Sequence, residues 1–307
     1  MKWYARYGLL TLGIAGLSMA GIFYAFASAP VVVIVAYRML MATLLVVPLA
    51  FAVRASGGAQ TRSRFERADV VASMGSGLLF AIDLTVWAMS LKFTSVASAA
   101  LFVSMHPIFV ALLAWAFLRE RPTPLMLAGI ALGILGIVIV GAQDLRVSGR
   151  ALFGDGLALL AALAETGYLL FGRHVRQRID APRYASVVYA TCAVAVLIAA
   201  LAGGNSLVIS AHDLVWCFAL ALIATVLGHT LVSQSLGYMP AAVVAVSFLA
   251  QPLLASLFAL AFLHQALVAT TVLGGLVALA GIGIVAYANE RSGANPTGKP
   301  TAWQSEP

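Results

Sequence analysis

The sequence predicts an all-α polytopic membrane protein of ten transmembrane helices, arranged as two inverted five-helix repeats. Three observations lead there. The chain is 62% hydrophobic and 9% charged, with mean hydropathy +1.00, whereas a soluble domain carries about a quarter charged residues. Apolar runs of about twenty residues recur along its whole length, each able to cross the ~30 Å hydrocarbon core as a helix. The third observation is an internal repeat. A shift of 145 residues lays Ser90–Val140 on Ser235–Val285 without a gap, matching Pro107 with Pro252 and Ala116-Phe117-Leu118 with Ala261-Phe262-Leu263. The same shift lays Gly129 and Gly136 on Gly274 and Gly281.

In chain order the spans are 8–27, 31–53, 69–91, 95–118, 124–142, 154–173, 184–202, 214–236, 240–263 and 268–288. The repeats are 1–142 and 154–288, and the polar, Pro/Gly-rich tail 289–307 is expected to be disordered. Short loops predict that sequential helices are antiparallel neighbours. The first span imitates a secretory signal, with Lys2 and Arg6 ahead of an apolar run and Ala27-Ser28-Ala29 behind it. Signal cores run ~7–15 residues, however, and this run is nearer twenty, so it reads as a retained helix.

Orientation follows from the basic residues. With the N-terminus inside, the inner segments hold Lys2, Arg6, Arg54, Arg62, Arg64, Arg67, Arg119, Arg121, Arg173, Arg176, Arg178, Arg183, Arg291 and Lys299. The outer loops hold only Lys92, Arg146 and Arg150. This positive-inside bias puts both termini in the cytoplasm of an inner (plasma) membrane. A repeat offset of five spans, an odd number, then inverts one half relative to the other, the arrangement of secondary transporters whose substrate site lies near the midplane. The net charge of +7 is spread over short loops, so no basic domain exists for nucleic acid. Cys192 and Cys217 both fall in spans and imply no disulfide framework.

Residues FAIDLTVWAMSLKFTSVASAALFVSMHPIFVALLAWAFLRERP, then GIALGILGIVIV, resemble the drug/metabolite transporter superfamily, EamA-type branch. The second half resembles it through GHTLVSQSLGYMPAAVVAVSFLAQPLLASLFALAFL, as does VAYRMLMATLL around Arg38. The resemblance spans residues 8–288. It implies a ten-helix permease with a central cavity that moves small organic solutes by alternating access, without naming the solute. One departure stands out: the acidic residue expected after the ninth span is Gln265, although its first-half counterpart Glu120 is present.

Charges inside spans need a reason, since each costs at least ~2.5–3.5 kcal/mol on insertion scales. Arg38 and Asp83 lie at similar depth, about 12–13 Å from the outer ends of their spans at ~1.5 Å per residue. An ion pair is expected, serving either as a structural clamp or as a proton or substrate-charge site. Glu165 lies about 15 Å deep with no basic residue within a turn of its own helix. Low dielectric disfavours a lone charged carboxyl, so it reads as a proton carrier or as a neutral acid bonded to a neighbouring helix. Tyr168 shares its face, and Trp87 follows Asp83 by four residues.

His106-Pro107 and Gln251-Pro252 are repeat-related. Each proline frees the carbonyl four residues back, Val103 or Phe248, and breaks the helix. In lipid such a break requires water, a partner helix or a ligand at the freed group, so both pairs are candidates for a site lining, with plain packing plasticity as the alternative. His229 is read as a helix–helix hydrogen-bonding residue. Gly129, Gly133 and Gly136, matched by Gly274, Ala278 and Gly281, allow close helix approach, in an internal seam or a homodimer face. Pro122 and Pro124 suit the start of the fifth span, and Glu120 suits its positive end.

No H-E-x-x-H, G-x-S-x-G or P-loop motif is present, which argues against an enzyme, a resident metal, a cofactor or an ATP-driven pump. The reading is a secondary transporter in the lipid bilayer that exports small organic metabolites or drugs, with protons as the candidate coupling ion. The alternative is a membrane-embedded receptor or scaffold subunit.

Overall fold

The computed structural model describes residues 3–55, 65–90, 92–94, 99, 102–141, 149–264 and 269–292. Among them are eight helices long and apolar enough to cross a membrane and two shorter apolar ones. In chain order they are α1 Tyr4–Phe26, α2 Val31–Val53, α3 Arg67–Ser90, α4 His106–Leu118 and α5 Pro124–Val140. The second set is α6 Gly149–Arg176, α7 Ala181–Ala202, α8 Ala211–Leu236, α9 Ala241–Phe262 and α10 Ala269–Arg291. The described residues contain no strand. Gln265, most of the expected tail and much of the first half of the fourth expected span lie outside the described residues. The tail reading is corrected at its start, because helix continues through Asn289–Arg291.

The loop-based expectation of sequential neighbours does not describe the packing. The most extensive helix pairs are α5–α10, α3–α6, α2–α7 and α1–α8, none of them sequential. Each crosses from one half of the chain to the other. A turn fixes only that two helices run antiparallel, while burial decides which faces meet, and here each half covers the apolar faces of the other.

The α5–α10 seam answers the question left by the small residues. A Cβ on Gly281 would stand 2.5 Å from Gly129 O and Gly133 N, and one on Gly136 would stand 2.5 Å from Ala278 N and against Gly274 O. Such contacts are with backbone, so only residues without a side chain let these helices approach so closely. The pairs run 129 with 281, 133 with 278 and 136 with 274, so the helices are antiparallel. Shifting every number by 145 exchanges the first and last pairs and returns the middle one to itself. The glycines face each other inside the chain.

Two further features repeat. Arg119 and His264, also 145 residues apart, both end their helices in the left-handed conformation, with φ 58° and 55°. Their N–H groups reach back to Ala114 O and Ala259 O, again a matched pair. Both prolines sit in the first turn of a new helical segment, where a missing N–H costs nothing. Before Pro107 the chain turns at Ser104-Met105, and before Pro252 it tightens into a 3₁₀ turn at Phe248–Ala250. The expected kinks are breaks.

Candidate functional site

On α3, Ser76, Phe80, Asp83 and Trp87 recur at intervals of three and four residues and so share one face. Glu165 and Tyr168 do the same on α6. Because α3 packs against α6, these two stripes build the centre of the molecule. Phe80 stacks on Tyr168 with ring centroids 4.7 Å apart and meets the edge of His229, from α8, at 4.6 Å. Tyr168 OH contacts Ser233 Oγ at 3.2 Å, and Tyr189 of α7 reaches Thr230 Oγ1 at 3.0 Å. Helix α8 is locally widened to π-helical geometry over Leu220–His229, a distortion that often marks functional sites. It carries both Thr225 and His229 into this centre.

Asp83 is 7% exposed and Glu165 8%. Asp83 makes no hydrogen bond or ion pair among the described residues. Glu165 meets His106 of α4, whose Nδ1 lies 3.5 Å from its Oε2. The same Nδ1 is 3.0 Å from Val103 O, and Nε2 is 3.2 Å from Ala245 O on α9. Val103 O is the carbonyl that Pro107 leaves without a donor, so His106 repairs the break beside it. All three neighbours of the ring are acceptors, and every contact is met only when both ring nitrogens carry hydrogen. The repeat-related carbonyl, Phe248 O, is met differently, by the Gln251 N–H.

The expected Arg38–Asp83 ion pair is not formed. Arg38 is buried, donating Nε–H to Thr225 Oγ1 at 2.7 Å and Nη1–H to Tyr24 OH at 3.3 Å. Its charge still reaches Asp83 electrostatically, as does that of Glu165. Equal depth was read correctly, but depth says nothing of direction around the helix axis, and rotation turns Arg38 toward α1 and α8. His229 is also corrected: its Nδ1 is buried without a hydrogen-bond partner, and the ring packs on aromatic faces instead. Gln251 and Trp87 are half-buried, and the Gln251 side chain makes no hydrogen bond among the described residues.

A second polar cluster closes one end of the bundle. Glu120, just past the end of α4, accepts from Arg173 Nε at 2.6 Å and from the Ala241 N–H at the start of α9 at 3.0 Å. Arg173 also donates Nη1–H to Leu236 O at the end of α8, at 2.8 Å. Arg176 is fully buried and donates to Ser233 O and Gln234 Oε1. In the sequence both arginines look like loop charges, since their partners lie more than fifty residues away. Phe80, Thr225 and Ser233 carried no signal either, being common in any apolar helix.

An apolar cavity of about 180 Å³ lies between α1, α9 and α10, lined by Leu10, Ile14, Val246, Leu254 and Ile282. Neither central carboxylate belongs to its wall. No group of three or more potential metal ligands occurs among the described residues.

Comparison with known proteins accords with this geometry. No curated protein matches the sequence significantly. One solved crystal structure superposes with a TM-score of 0.77 over 94% of this chain and 99% of its own, at 17% identity, a likeness of fold. The sequence profile of the EamA-like transporter family matches residues 3–142 and again 152–287. With two copies of that profile covering nearly its whole length, this multi-pass chain belongs to the EamA-like transporter family.

Proposed function

We propose that the chain is a secondary transporter that exports small organic solutes by alternating access, with proton coupling at the His106–Glu165 pair. In this reading all ten helices span the inner (plasma) membrane as two inverted repeats, 1–142 and 154–288, with both termini cytoplasmic. One observation carries it: a buried carboxylate, Glu165, set against a histidine whose ring faces only acceptors, at the centre of a bundle whose halves interleave. A fixed structural acid is normally satisfied by donors. Glu165 meets one shared donor at 3.5 Å, and Asp83 nearby has none among the described residues, as befits groups that exchange partners during a cycle. Arg38 and Asp83 set the field in which that exchange occurs.

Glu165→Gln keeps the shape of the protonated acid and removes its titration. The variant is expected to fold, to lose proton-gradient-driven flux in proteoliposomes, and to show a flat pH profile, while solute counterflow persists. Wild-type rate and wild-type pH profile in the variant would make Glu165 a packing residue. The rival class, a receptor or scaffold subunit, predicts no solute flux in wild-type vesicles under any gradient.

A further inference from the structure

We infer that the solute taken at this centre is a monovalent organic cation with an apolar body, received by Asp83 and Glu165 in exchange for one proton. The inference rests on the transport reading above and names its substrate class. Both carboxylates are more than nine-tenths buried, and Asp83 has no donor among the described residues. Beside them His229 Nδ1 is buried without a partner, a second group in the same centre whose hydrogen-bonding capacity the protein leaves open. Buried polar groups are ordinarily satisfied by the protein itself, so the open capacity here is suited to a ligand.

Charge decides the sign of that ligand. The ionisable groups facing the centre are Arg38 on α2, Asp83 on α3, His106 on α4, Glu165 and Tyr168 on α6, Tyr189 and Cys192 on α7, and His229 on α8. With the histidines neutral, two carboxylates against one guanidinium leave a single net negative charge. One proton on the His106–Glu165 pair cancels it, and so does one monovalent cation. Burying both together would leave an excess positive charge in low dielectric, which is strongly disfavoured. Arg38 does not compete for the role of anion receptor while Thr225 and Tyr24 hold it.

Shape decides the rest. Each carboxylate is flanked on its own helix face by aromatic residues: Asp83 by Phe80 and Trp87, Glu165 by Tyr168. Aromatic faces attract organic cations and give apolar cover to their substituents, whereas a small hydrated metal ion requires oxygen ligands in number. The described residues supply no cluster of metal ligands.

The test uses the purified full chain in detergent and benzyltrimethylammonium, whose charge does not titrate. Binding is measured by calorimetry between pH 6 and 8, with proton release followed in weak buffer. The expected result is an affinity that rises about tenfold per pH unit while the pair is protonated, with about one proton released per cation bound. Neopentylbenzene, its uncharged isostere, is expected not to compete. Asp83→Asn and Glu165→Gln, each checked for a monodisperse elution profile, are expected to weaken binding at least tenfold, the second without proton release. Binding of phenylalanine in place of the cation, lost in Arg38→Gln, would overturn the cation assignment in favour of a zwitterion. So would cation binding that neither variant nor pH alters. Proton-driven flux of other solutes without any cation binding would overturn the assignment while leaving the transport reading intact; absence of all flux would remove both.

Discussion

Replacing Glu120 by alanine tests whether one carboxylate holds together the end of the bundle where α4, α6, α8 and α9 meet. Its two oxygens serve Arg173 Nε at 2.6 Å and Ala241 N–H at 3.0 Å. Removing one partner of a buried ion pair costs about 3–5 kcal/mol. Here the Arg173 side chain is 3% exposed but that of Glu120 is 19% exposed, so water can partly replace the lost oxygen. That reduces the loss to about 2–3 kcal/mol by the weaker strength of exposed pairs. Loss of the acceptor at the first turn of α9 adds about 1 kcal/mol, as for any helix cap. Glu120→Ala is therefore expected to destabilise by about 3–4 kcal/mol, and Glu120→Gln by about 2 kcal/mol, since an amide oxygen still serves Ala241. The assay is reversible unfolding in mixed micelles titrated with SDS, run as a double-mutant cycle with Arg173→Ala. A coupling of at least about 1.5 kcal/mol is expected, and one below about 0.5 kcal/mol would refute the argument.

Further outcomes follow from single contacts. Gly136→Ala places a methyl against the backbone of Gly274 and Ala278 and is expected to cost about 1–3 kcal/mol, whereas Gly283→Ala, with open space around it, is expected to gain about 0.5–1 kcal/mol. Equal effects at the two sites would mean the seam yields in solution. His106→Ala leaves Val103 O and Ala245 O without their side-chain donor and should lose about 1–3 kcal/mol for each left dry; His106→Asn, retaining one donor group, should lose less. Full stability in His106→Ala would mean water takes over both carbonyls. Cysteines at Arg121 and Asn205 should react with impermeant reagents from opposite sides of a sealed membrane, and labelling from one side alone would contradict the proposed topology.

What could be read from the chain was whatever depends on position along it. Composition names the solvent, and apolar run length marks the helices. The 145-residue register predicted that Pro107 and Pro252 would interrupt their helices at matching points, as they do. What could not be read depends on rotation about a helix axis and on contacts across the chain. Arg38 was placed at the right height, but its azimuth points to Thr225. Arg173 counted as a loop charge because Glu120 meets it only once α4 and α6 are packed. Glu165 had no basic neighbour on its own helix, and the one it has comes from α4. Sequential adjacency failed for the same reason, since short loops set direction and leave the choice of partner to the buried faces.

The seam between α5 and α10 bears on how the chain is made. Gly129, Gly133 and Gly136 leave the ribosome about 140 residues before the partners that cover them. At about 5–20 residues per second that is an interval of roughly ten to thirty seconds. Through that time the narrow glycine face of α5 has only lipid against it, and the contacts that draw the two backbones together form between the fifth helix and the last. The chain thus completes its fold with its final helix, and truncation ahead of Gly274 would leave a first half inserted but unclosed.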